Sequence, residues 1–596
     1  MFRSDLFVIA ALFLSVSSDR CILAAEGLPY ARWISDARGG GQIHTACGVT
    51  RANRPIPVLL TPGMLDIDSR KTRVLLIAGF DGDARSIKQA LAAWTAFHDL
   101  ALDSNMRKQF ELGIIPVANP DGASAGGGLL NSVEGTPGQG YPPSAGAYND
   151  PRNPEAIYLW RWIAMLGPDL VVVVDHGVQQ QWRGSVQLKQ HAPQLLDQLR
   201  PVPLANSNRI VEALTTTQKN WPHTVAAVEV SVPDAAQFLP AVLHAASGLR
   251  SPARTELQRR CNRTPLQIAE QLSHFYGHQL DSVAYIPALA LIGRLRLGQL
   301  TGDPQHARDI RRIVTPYLEG SKPTIGKRPS GSNLSGHLIF GELATLTGDE
   351  RFTQRARRAA DLGFTDDGKP RASMPFHNEM SDAVFMGTPI LVQVGRLTGD
   401  SRYYDMAARH LRFMLRMNLR ADGLHQHSPR DPAGTAWGRG NGFPSLGLAL
   451  CLSDLPTNNP HRPFFLDAYR KHIAAMIPHQ DEMGMWHQVV DHPESYREFT
   501  VTCMTTFAIA RGMRRGWLDV KSHTPLVRRA WKSIQCRIGN GPDLVDVCTG
   551  TGKQPSFRRY LDRPANFGRD DRGGAMALLV STELAFAVRE HVLTLD

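Results

Sequence analysis

A short motif that recurs three times in the second half of the chain constrains the fold more than any other feature. The stretches LGQLTGDPQHA, ATLTGDERFTQRA and GRLTGDSRYYDMA place Asp303, Asp349 and Asp400 at spacings of 46 and 51 residues. The Gly before each Asp suits the position after a helix end, where φ is positive, and each Asp suits the N-cap of the next helix. The motif therefore predicts helical hairpins of about 50 residues each.

Residues 265–596 have room for about six such hairpins. Six hairpins can close into an α/α toroid, and an open superhelix is the alternative. Later segments are less regular and are rich in Gly and aromatic residues. Loops that elaborate one rim favour the closed toroid with a pocket, because binding residues concentrate on loops held by a rigid scaffold.

The first part of the chain, residues 26–250, has a different pattern that predicts an α/β domain. Helix-like stretches at residues 86–100 and 154–165 alternate with apolar segments, as in a mostly parallel sheet covered on both faces. The predicted strands lie at residues 73–79, 112–119, 169–177 and 225–232. Residues 122–150, rich in Gly, Pro and Ser, predict a long loop. The polar, basic stretch 250–264 predicts a linker between two cores.

The N-terminus predicts export. Arg3 precedes an apolar run from Leu6 to Val16, which is shorter than the roughly 20 residues of a spanning helix. The small residues Ala24 and Ala25 follow, so residues 1–25 are typical of a secretory signal peptide. An uncleaved anchor is the alternative. We expect a periplasmic or secreted mature protein without an integral membrane segment.

Charge and cysteine content exclude several other classes of protein. The net charge of +11 comes from dispersed residues, and no nucleic-acid-binding motif accompanies it, so we expect no nucleic-acid partner. Six cysteines remain after the predicted signal peptide, and none forms a CxxC pair, which argues against a structural zinc site. Cys536 and Cys548 could bridge locally, or could be buried free thiols.

Four loop-like segments of the helical part carry the residues with chemical potential. They begin at His377 (HNEMSDAVFMGTP), Asp422 (DGLHQHSPRD), Trp437 (WGRGNGF) and Asp546 (DVCTGTG, with YLDRP from Tyr560). The glycines at 438–442 predict a tight turn from which two side chains project. Trp437 offers a flat apolar face to a sugar ring, and Arg439 can fork onto a carboxylate.

His427 is a candidate hydrogen-bond donor, and Asp382 is a candidate acid or base. Each candidate also has a simpler interpretation. Asp382 could merely cap the helix that follows it. His427 could be a structural loop histidine, and Trp437 could belong to the core. The residues alone thus indicate an acidic-sugar pocket in a helical toroid.

Residues from about 275 to 590 resemble the unsaturated glucuronyl and unsaturated rhamnogalacturonyl hydrolases of glycoside hydrolase families 88 and 105. The stretches that carry the resemblance, in the family's order, are MSDAVFMGTP, DGLHQH, WGRGNGF, QDEMGMWHQVVDHPESYREFT, IARGMRRGWLD, CTGTG and GGAMALLVSTEL. The resemblance implies an (α/α)6 barrel that needs no cofactor and acts on unsaturated uronic-acid oligosaccharides. It matches Asp382 to the catalytic Asp, and Tyr285, His427, Trp437 and Arg439 to substrate-binding residues.

The chemistry implied by this resemblance is hydration of a vinyl ether. An Asp protonates C4 of a 4,5-unsaturated uronyl residue, water adds at C5, and the hemiketal opens to release the sugar. The chain departs from the family pattern at three places. Met380 and Phe443 stand where the family usually has Trp, and a second family Asp falls near Ser332 and Asn333.

The α/β part is similar to the zinc carboxypeptidases. The similarity rests on the order of Asn119-Pro120-Asp121-Gly122, Asp175-His176 and Glu229, in which His176 matches a zinc ligand and Glu229 the general base. The first metal motif, His-x-x-Glu, falls at Phe80-Asp81-Gly82-Asp83. Phe cannot bind zinc, and a catalytic zinc needs three protein ligands. We therefore predict an inactive domain and no bound metal.

The leading hypothesis is an exported glycoside hydrolase that removes unsaturated uronyl residues from lyase-generated oligosaccharides. One alternative is a working metallopeptidase joined to a carbohydrate-binding helical domain. Another is a non-catalytic carbohydrate-binding protein, which the loss of the Asp near Ser332 and Asn333 would favour.

Overall fold

The computed structural model describes most of the chain as two compact units. The described residues are 27–595 without 38, 40, 103, 144–149, 205–208, 217–222, 234–237 and 377–378. The predicted signal peptide and His377 lie outside the described residues. The sheet unit comprises Met1–Asn262 with Pro493–Tyr496, and the helical unit comprises Arg263–His492 with Arg497–Asp596. Each unit has its own cluster of buried hydrophobic residues.

The described part of the sheet unit contains one eight-stranded sheet, whose spatial order is β1-β2-β4-β3-β5-β8-β6-β7. The strands are β1 (Ile43–Val49), β2 (Pro55–Leu60), β3 (Thr72–Ala78), β4 (Phe110–Ile115), β5 (Leu170–His176), β6 (Gln181–Gly184), β7 (Val202–Pro203) and β8 (Ala226–Val232). The four central strands, β4, β3, β5 and β8, are parallel neighbours. They are the four strands that the apolar segments predict.

The outer strands add antiparallel pairings to the sheet, in which four of the seven described strand pairings are parallel, as predicted for a mostly parallel sheet. β1 pairs antiparallel with β2, β2 with β4, and β6 with β8. The helices of this unit are α1 (Ala31–Asp36), α2 (Ala84–Asp99), α3 (Asn105–Gln109), α4 (Pro120–Ser124), α5 (Pro154–Leu166), α6 (Leu188–His191), α7 (Pro193–Leu199), α8 (Ile210–Thr215), α9 (Phe238–Ala245) and α10 (Pro252–Cys261). Helices α2 and α5 confirm the two helix-like stretches that the sequence predicts.

The stretch predicted as a linker contains the boundary between the two units, after Asn262, but most of it forms helix α10 of the sheet unit. Arg254 of this helix is buried, and its Nη1 lies 2.6 Å from Asp169 Oδ2. The same carboxylate accepts hydrogen bonds from the backbone N–H groups of Arg73 and Ser251. A polar, basic stretch is therefore fixed to the sheet unit by one buried acidic residue far away in the sequence.

The helical unit consists mainly of long helices in pairs. They are α11 (Pro265–Ser273), α12 (Tyr285–Thr301), α13 (Gln305–Leu318), α14 (Gly331–Gly336), α15 (Leu338–Thr347), α16 (Glu350–Ala360), α17 (Ala383–Thr398), α18 (Ser401–Asn418), α19 (Gly438–Asp454), α20 (Arg462–Met476), α21 (Phe499–Arg514), α22 (Val520–Cys536), α23 (Phe557–Leu561) and α24 (Asp571–Arg589). The unit is not purely helical, because β9 (Asp543–Cys548) and β10 (Ala565–Arg569) form an antiparallel pair.

The recurring TGD motif has the predicted role at helix ends. Gly302, Gly348 and Gly399 follow α12, α15 and α17 with φ values of +75°, +70° and +72°. Asp349 and Asp400 are N-caps whose side chains accept backbone hydrogen bonds, each contributing about 1 kcal/mol. Asp303 differs, because Pro304 takes the N-cap position of α13.

Contacts between the longer helices follow a regular pattern. α12 packs against α24, α24 against α21, α21 against α19, and α19 against α17. α17 in turn packs against α14 and α15, which both pack against α12. The remaining partners α13, α16, α18, α20, α22 and α11 each pack against a helix of this first group.

A network of charged residues links the first group of helices, well away from their starts. Its members alternate in sign along the chain: Arg296, Glu342, Arg396, Asp454, Arg511 and Glu583. Glu583 pairs with Arg296, Arg511 and also Arg514, and Arg396 Nε lies 2.9 Å from Asp454 Oδ1. Burial raises the pKa of Glu342 and of Asp454.

Within the described residues, no helix is both long enough and apolar enough to span a membrane. The six described cysteines, Cys536 and Cys548 among them, are free thiols, and all but Cys261 are buried.

Candidate active site

The candidate residues of the helical unit gather where its long helices begin. Tyr285 is the first residue of α12, Asp382 is the N-cap of α17, and Trp437 is the N-cap of α19. Glu498 and Asp570 are the N-caps of α21 and α24. Backbone N–H groups and the positive end of the helix dipole meet at such ends, which suit an anionic substrate.

The carboxyl group of Asp382 does not cap the helix that follows it. Although Asp382 stands at the N-cap position of α17, its backbone is helical and its side chain makes no capping hydrogen bond. Only 10% of the side chain is exposed, and Oδ2 is buried without a hydrogen-bond partner among the residues that the structure describes. The alternative that Asp382 merely caps a helix is therefore wrong.

His427 lies directly beside this carboxyl group. Its Nε2 is 3.3 Å from Asp382 Oδ2, and its side chain is fully buried. The His427 carbonyl accepts a hydrogen bond from the Ser381 N–H at 2.9 Å, and the His427 N–H donates to the Thr435 carbonyl at 3.0 Å. The loop that carries His427 is thus fixed to the start of α17, and the imidazole is held against the acid.

Tyr560 completes a row of three polar groups. Its hydroxyl lies 2.7 Å from His427 Nδ1, and it belongs to the short helix α23, 133 positions further along the chain. The Tyr560 side chain is fully buried. The sequence places Tyr560 in an unusual segment but does not predict it as a site residue, because no local pattern reveals a contact at this separation.

Trp437 packs against His427, and Arg439 lies over the Trp437 ring. The rings of Trp437 and His427 have centroids 4.5 Å apart, and the Arg439 guanidinium lies 5.0 Å from the Trp437 ring centroid. Arg439 is buried, and it donates hydrogen bonds to the carbonyls of Cys548 and Thr549. Arg439 therefore holds the CTGTG loop beside the site; its contact with a substrate carboxylate stays a prediction.

The segment GRGNG is helix rather than the predicted turn. α19 begins at Gly438, and its glycines are required by close packing. A Cβ at Gly438 would lie 2.4 Å from the His487 carbonyl oxygen, and one at Gly442 would lie 2.5 Å from the Met504 methyl carbon. At Gly440 a Cβ would come within 2.9 Å of Ser381 Oγ. The missing side chains let α19 approach the residues around Asp382.

Tyr285 lies in an aromatic cluster next to these residues. Its ring meets Phe443 edge-on at 5.6 Å and Phe385 at 6.1 Å, while Phe385 and Phe443 stack at 5.5 Å. The Tyr285 hydroxyl accepts a hydrogen bond from Arg572 Nε at 3.2 Å. Phe443, where the family usually has Trp, thus packs inside the unit and is 1% exposed. Met380 is also buried.

The position of the missing second Asp has a structural role in this chain. Asn333 forms a capping box with Ser330, and its side chain donates to the Val283 carbonyl at 2.8 Å. Ser332 Oγ accepts a hydrogen bond from the Tyr285 N–H at 3.2 Å. Both residues therefore connect α14 to the start of α12, and neither supplies a carboxylate.

Several buried polar atoms around Asp382 lack partners within the described part of the chain. Besides Asp382 Oδ2, they are Ser381 Oγ, His427 Nε2, Thr435 Oγ1 and Trp437 Nε1. Buried polar atoms in folded proteins are almost always hydrogen-bonded. A cluster of exceptions indicates a place where water or a polar ligand supplies the missing partners.

The residues of the sheet unit that match a zinc motif are arranged differently. Phe80, at the position of the first ligand, is an apolar wall residue of a cavity that Asp175, Arg209 and Glu229 also line. Asp83 caps α2, because its carboxylate accepts the Arg85 N–H at 2.8 Å and pairs with the Arg85 guanidinium.

The other two matched residues also have protein partners. Gln89 Nε2 lies 3.0 Å from His176 Nδ1. Glu229 is 1% exposed, and its two oxygens lie 2.7 Å from Arg183 and 2.7 Å from Arg209. Burial and then the nearby Glu229 raise the pKa of Asp175 to about 7. Among the described residues there is no group of three or more His, Cys, Asp or Glu that could hold a metal ion.

Comparison with known proteins identifies the family. The profile of Glycosyl Hydrolase Family 88 matches residues 258–587, more than half of the chain. The chain therefore belongs to Glycosyl Hydrolase Family 88, as its resemblance to that family predicts.

Among curated relatives, the chain is 30% identical over 171 residues to an unsaturated 3S-rhamnoglycuronyl hydrolase of Formosa agariphila, covering 26% of this chain and 45% of that protein. It is 22% identical over 295 residues to the unsaturated rhamnogalacturonyl hydrolase YesR of Bacillus subtilis, covering 46% of this chain and 82% of that protein. The chain spans less than half the length of two of the curated relatives it matches. A solved glycosyl hydrolase family 88 structure from Bacteroides vulgatus is 17% identical, with a TM-score of 0.46, and the match covers 54% of this chain and 99% of that one.

Proposed function

We propose that the helical unit removes 4,5-unsaturated uronyl residues from lyase-generated oligosaccharides by hydrating their vinyl ether. The single observation that carries the proposal is the Asp382 carboxyl group, which is buried beside His427 Nε2 and makes no capping bond. A buried carboxyl group that contacts an imidazole but makes no capping bond, in a site with further unsatisfied polar atoms, is suited to donate a proton to a bound substrate. The names of the relatives, which act on unsaturated rhamnoglycuronyl and rhamnogalacturonyl groups, support the same substrate class.

The proposed reaction needs one acid that becomes a base. The Asp382 carboxyl group gives its proton to C4, and the C4=C5 electron pair forms the new C–H bond. A water molecule adds its oxygen at C5 and returns a proton to the Asp382 carboxylate. The hemiketal then opens to a C5 ketone, and the ring oxygen, now protonated, leaves a hemiacetal at C1. Collapse of this hemiacetal to an aldehyde breaks the glycosidic bond and releases its oxygen as the alcohol of the remaining sugar. One carboxylate completes the cycle, so the two-carboxylate geometry of other glycosidases does not apply.

A panel of lyase digests tests this activity. The conjugated uronate absorbs in the ultraviolet, and hydration removes the conjugation. We expect the purified full chain to bleach this absorbance in digests of at least one class of polyuronide while it releases the neighbouring sugar. Binding of the same oligosaccharides without bleaching would favour the non-catalytic carbohydrate-binding alternative.

We also propose that the helical unit is a closed (α/α)6 barrel. The succession of contacts from α12 through α15, α17, α19, α21 and α24 returns to α12, as a closed ring of inner helices requires. The alternating charges support closure, because α24 carries Glu583 and pairs with Arg296 of α12, the first helix of the series. An open superhelix would leave these two residues at opposite ends.

For the sheet unit we propose a carboxypeptidase-like domain that serves as a binding or structural module. Its residues do not fit a zinc site, because Phe80 has no ligand atom, Asp83 caps a helix, and both Glu229 oxygens are held by arginines. The metallopeptidase alternative therefore has no supporting observation. Zinc titration of the full chain, monitored by calorimetry and peptide hydrolysis, is expected to give neither binding nor activity. Stoichiometric binding with hydrolysis would restore that alternative.

Finally, we propose that the protein is exported to the periplasm or secreted. The apolar run from Leu6 to Val16 and the small residues Ala24 and Ala25 support this. N-terminal sequencing of the protein from the culture medium or periplasm is expected to begin near Glu26.

A further inference from the structure

Tyr560, His427 and Asp382 lie in a row in which the hydroxyl of Tyr560 contacts one imidazole nitrogen and the carboxyl group of Asp382 faces the other. A neutral imidazole carries one proton, either on Nδ1 or on Nε2, and the hydrogen bond at one nitrogen decides which nitrogen holds it. His427 contacts Tyr560 at Nδ1 and faces Asp382 at Nε2. The side chain of Tyr560 therefore determines whether His427 Nε2, which faces the proposed acid, is a hydrogen-bond donor or an acceptor.

The surroundings of Tyr560 fix the direction of its hydrogen bond. Its hydroxyl accepts the N–H of Gln554, at 3.4 Å, and lies 2.7 Å from His427 Nδ1. Burial raises the pKa of the Tyr560 hydroxyl, so it keeps its proton. A hydroxyl oxygen can accept two hydrogen bonds but has one proton to donate. Among the described residues, His427 Nδ1 is the acceptor within reach of that proton. The imidazole proton then lies on Nε2, facing Asp382 Oδ2.

This direction decides which oxygen of Asp382 can carry the reactive proton. If Nδ1 were protonated, Nε2 would be a hydrogen-bond acceptor. The proton of Asp382 could then lie on Oδ2 and be held in a hydrogen bond to His427 Nε2. With the proton on Nε2, that bond cannot form, and the proton of the acid remains on Oδ1. Oδ2 is sealed from solvent, so the 10% exposure of the side chain lies at its other atoms. Oδ1 is the oxygen that remains to meet a substrate.

We propose that Tyr560 is a positioning residue that holds His427 in the Nε2–H tautomer and thereby keeps the proton of Asp382 on Oδ1, toward C4 of the substrate. The inference rests on the proposed function for its catalytic meaning. The tautomer itself is a property of the protein alone and can be measured without any substrate.

The main experiment measures the tautomer in the full chain. Long-range 1H–15N spectra of histidine-labelled protein, with His427 assigned by the signal lost in His427→Gln, are expected to show a protonated Nε2 and an unprotonated Nδ1. In Tyr560→Phe, a population protonated at Nδ1 is expected to appear, because the donor to that nitrogen is gone. A wild-type His427 protonated at Nδ1 overturns the proposal, even if Tyr560→Phe does not fold.

Kinetics provide the second readout, with a matched control. Tyr469 is as fully buried as Tyr560, and its hydroxyl donates to the Ala508 carbonyl at 2.7 Å, away from the site. Tyr560→Phe is expected to lower kcat about tenfold or more with KM nearly unchanged, since Tyr560 acts through the acid. Tyr469→Phe is expected to leave both unchanged. Equal kcat in wild type and Tyr560→Phe overturns the positioning role. If the wild type hydrates no unsaturated uronide while His427 shows the Nε2–H tautomer, the proposed function fails and the tautomer assignment stands.

Discussion

The candidate sites of the sheet unit and of the helical unit treat their polar side chains in opposite ways. In the sheet unit, Asp83 caps a helix, His176 contacts Gln89, and Glu229 is held by two arginines. In the helical unit, Asp382 Oδ2 lies 3.3 Å from His427 Nε2, and Ser381 Oγ, Thr435 Oγ1 and Trp437 Nε1 beside them are buried without hydrogen-bond partners among the described residues. Unsatisfied buried groups are costly, so folds keep them where a ligand provides partners. The difference shows that residues of a catalytic motif indicate catalysis only when other protein groups do not already occupy their polar atoms.

The first prediction tests whether the catalytic acid lies in the helical unit and not in the sheet unit. Asp382→Asn is expected to lower kcat for unsaturated uronides by about 10²–10⁴-fold, the usual contribution of a general acid. The amide is nearly isosteric, and no capping bond is lost, so thermal stability should change little. Glu229→Gln in the sheet unit is expected to leave kcat as in wild type. Steady-state kinetics of both variants decide the matter, and equal losses in both would place chemistry in the sheet unit.

A second prediction concerns the charge network of the helical unit, in which the buried Glu583 carboxylate pairs with three arginines. Glu583→Gln is expected to destabilise the protein by about 3–5 kcal/mol, because it leaves buried arginines without their partner. Glu590→Gln is the matched control, since Glu590 also pairs with Arg514 but is 42% exposed, and such surface pairs contribute under about 1 kcal/mol. Urea unfolding measures both, and similar losses would contradict the network's importance.

The same network predicts the direction of acid sensitivity. Burial alone would raise the pKa of Glu583, but Arg511 and Arg296 outweigh that effect and hold it well below its ordinary value. A carboxyl group with a depressed pKa stabilises the fold at pH values above its unfolded pKa, and this contribution is lost as pH falls toward its folded pKa. The stability difference between wild type and Glu583→Gln should therefore be full at neutral pH and shrink in acid.

A third prediction sharpens the role of Arg439, which lies between the site and the CTGTG loop. Lys keeps the charge but lacks the planar fork whose two ends donate to the Cys548 and Thr549 carbonyls. Arg439→Lys is expected to raise KM for unsaturated uronides about tenfold, the worth of one charge-assisted hydrogen bond. Arg308→Lys, on an exposed turn of α13, is the control. An unchanged KM would mean that neither the loop nor Arg439 affects substrate binding.

The smallest effect is expected from removing the sheet unit. A shortened chain should begin at Asn262, because Arg263 donates hydrogen bonds to the carbonyls of Gln535, Ile538 and Gly539. The helical unit has its own hydrophobic core, so turnover of small unsaturated disaccharides should stay within about twofold of the full chain. A complete loss in a folded shortened chain would show that the site depends on the sheet unit.

Much of the fold follows from local patterns in the sequence. Apolar runs predict the central parallel strands, and the TGD motif predicts the helix ends at Gly348 and Gly399. The outer strands are harder to predict: β7 has two residues and β6 has four, too few for a pattern. Helix α10 looks like a linker because its anchor is a buried pair with Asp169, distant in the sequence.

The contacts among the candidate site residues could not be predicted from the sequence. The sequence brings Asp382, His427, Trp437 and Arg439 into consideration, while their roles as site residues stay predictions. The glycines of α19 look like a turn because their reason is close packing against Ser381 and Met504. Tyr560 escapes prediction for the same reason, since only the folded chain places its hydroxyl beside His427.

The most direct test of the central claim follows the proton and the double bond together. In D2O, the exchangeable proton of Asp382 becomes a deuteron, and the account predicts that early-time NMR of the product shows one deuterium at C4. The vinyl signal should disappear in step with release of the leaving sugar, and Asp382→Asn should show neither event. Release of the sugar with the C4=C5 double bond intact would contradict vinyl-ether hydration and the role assigned to Asp382.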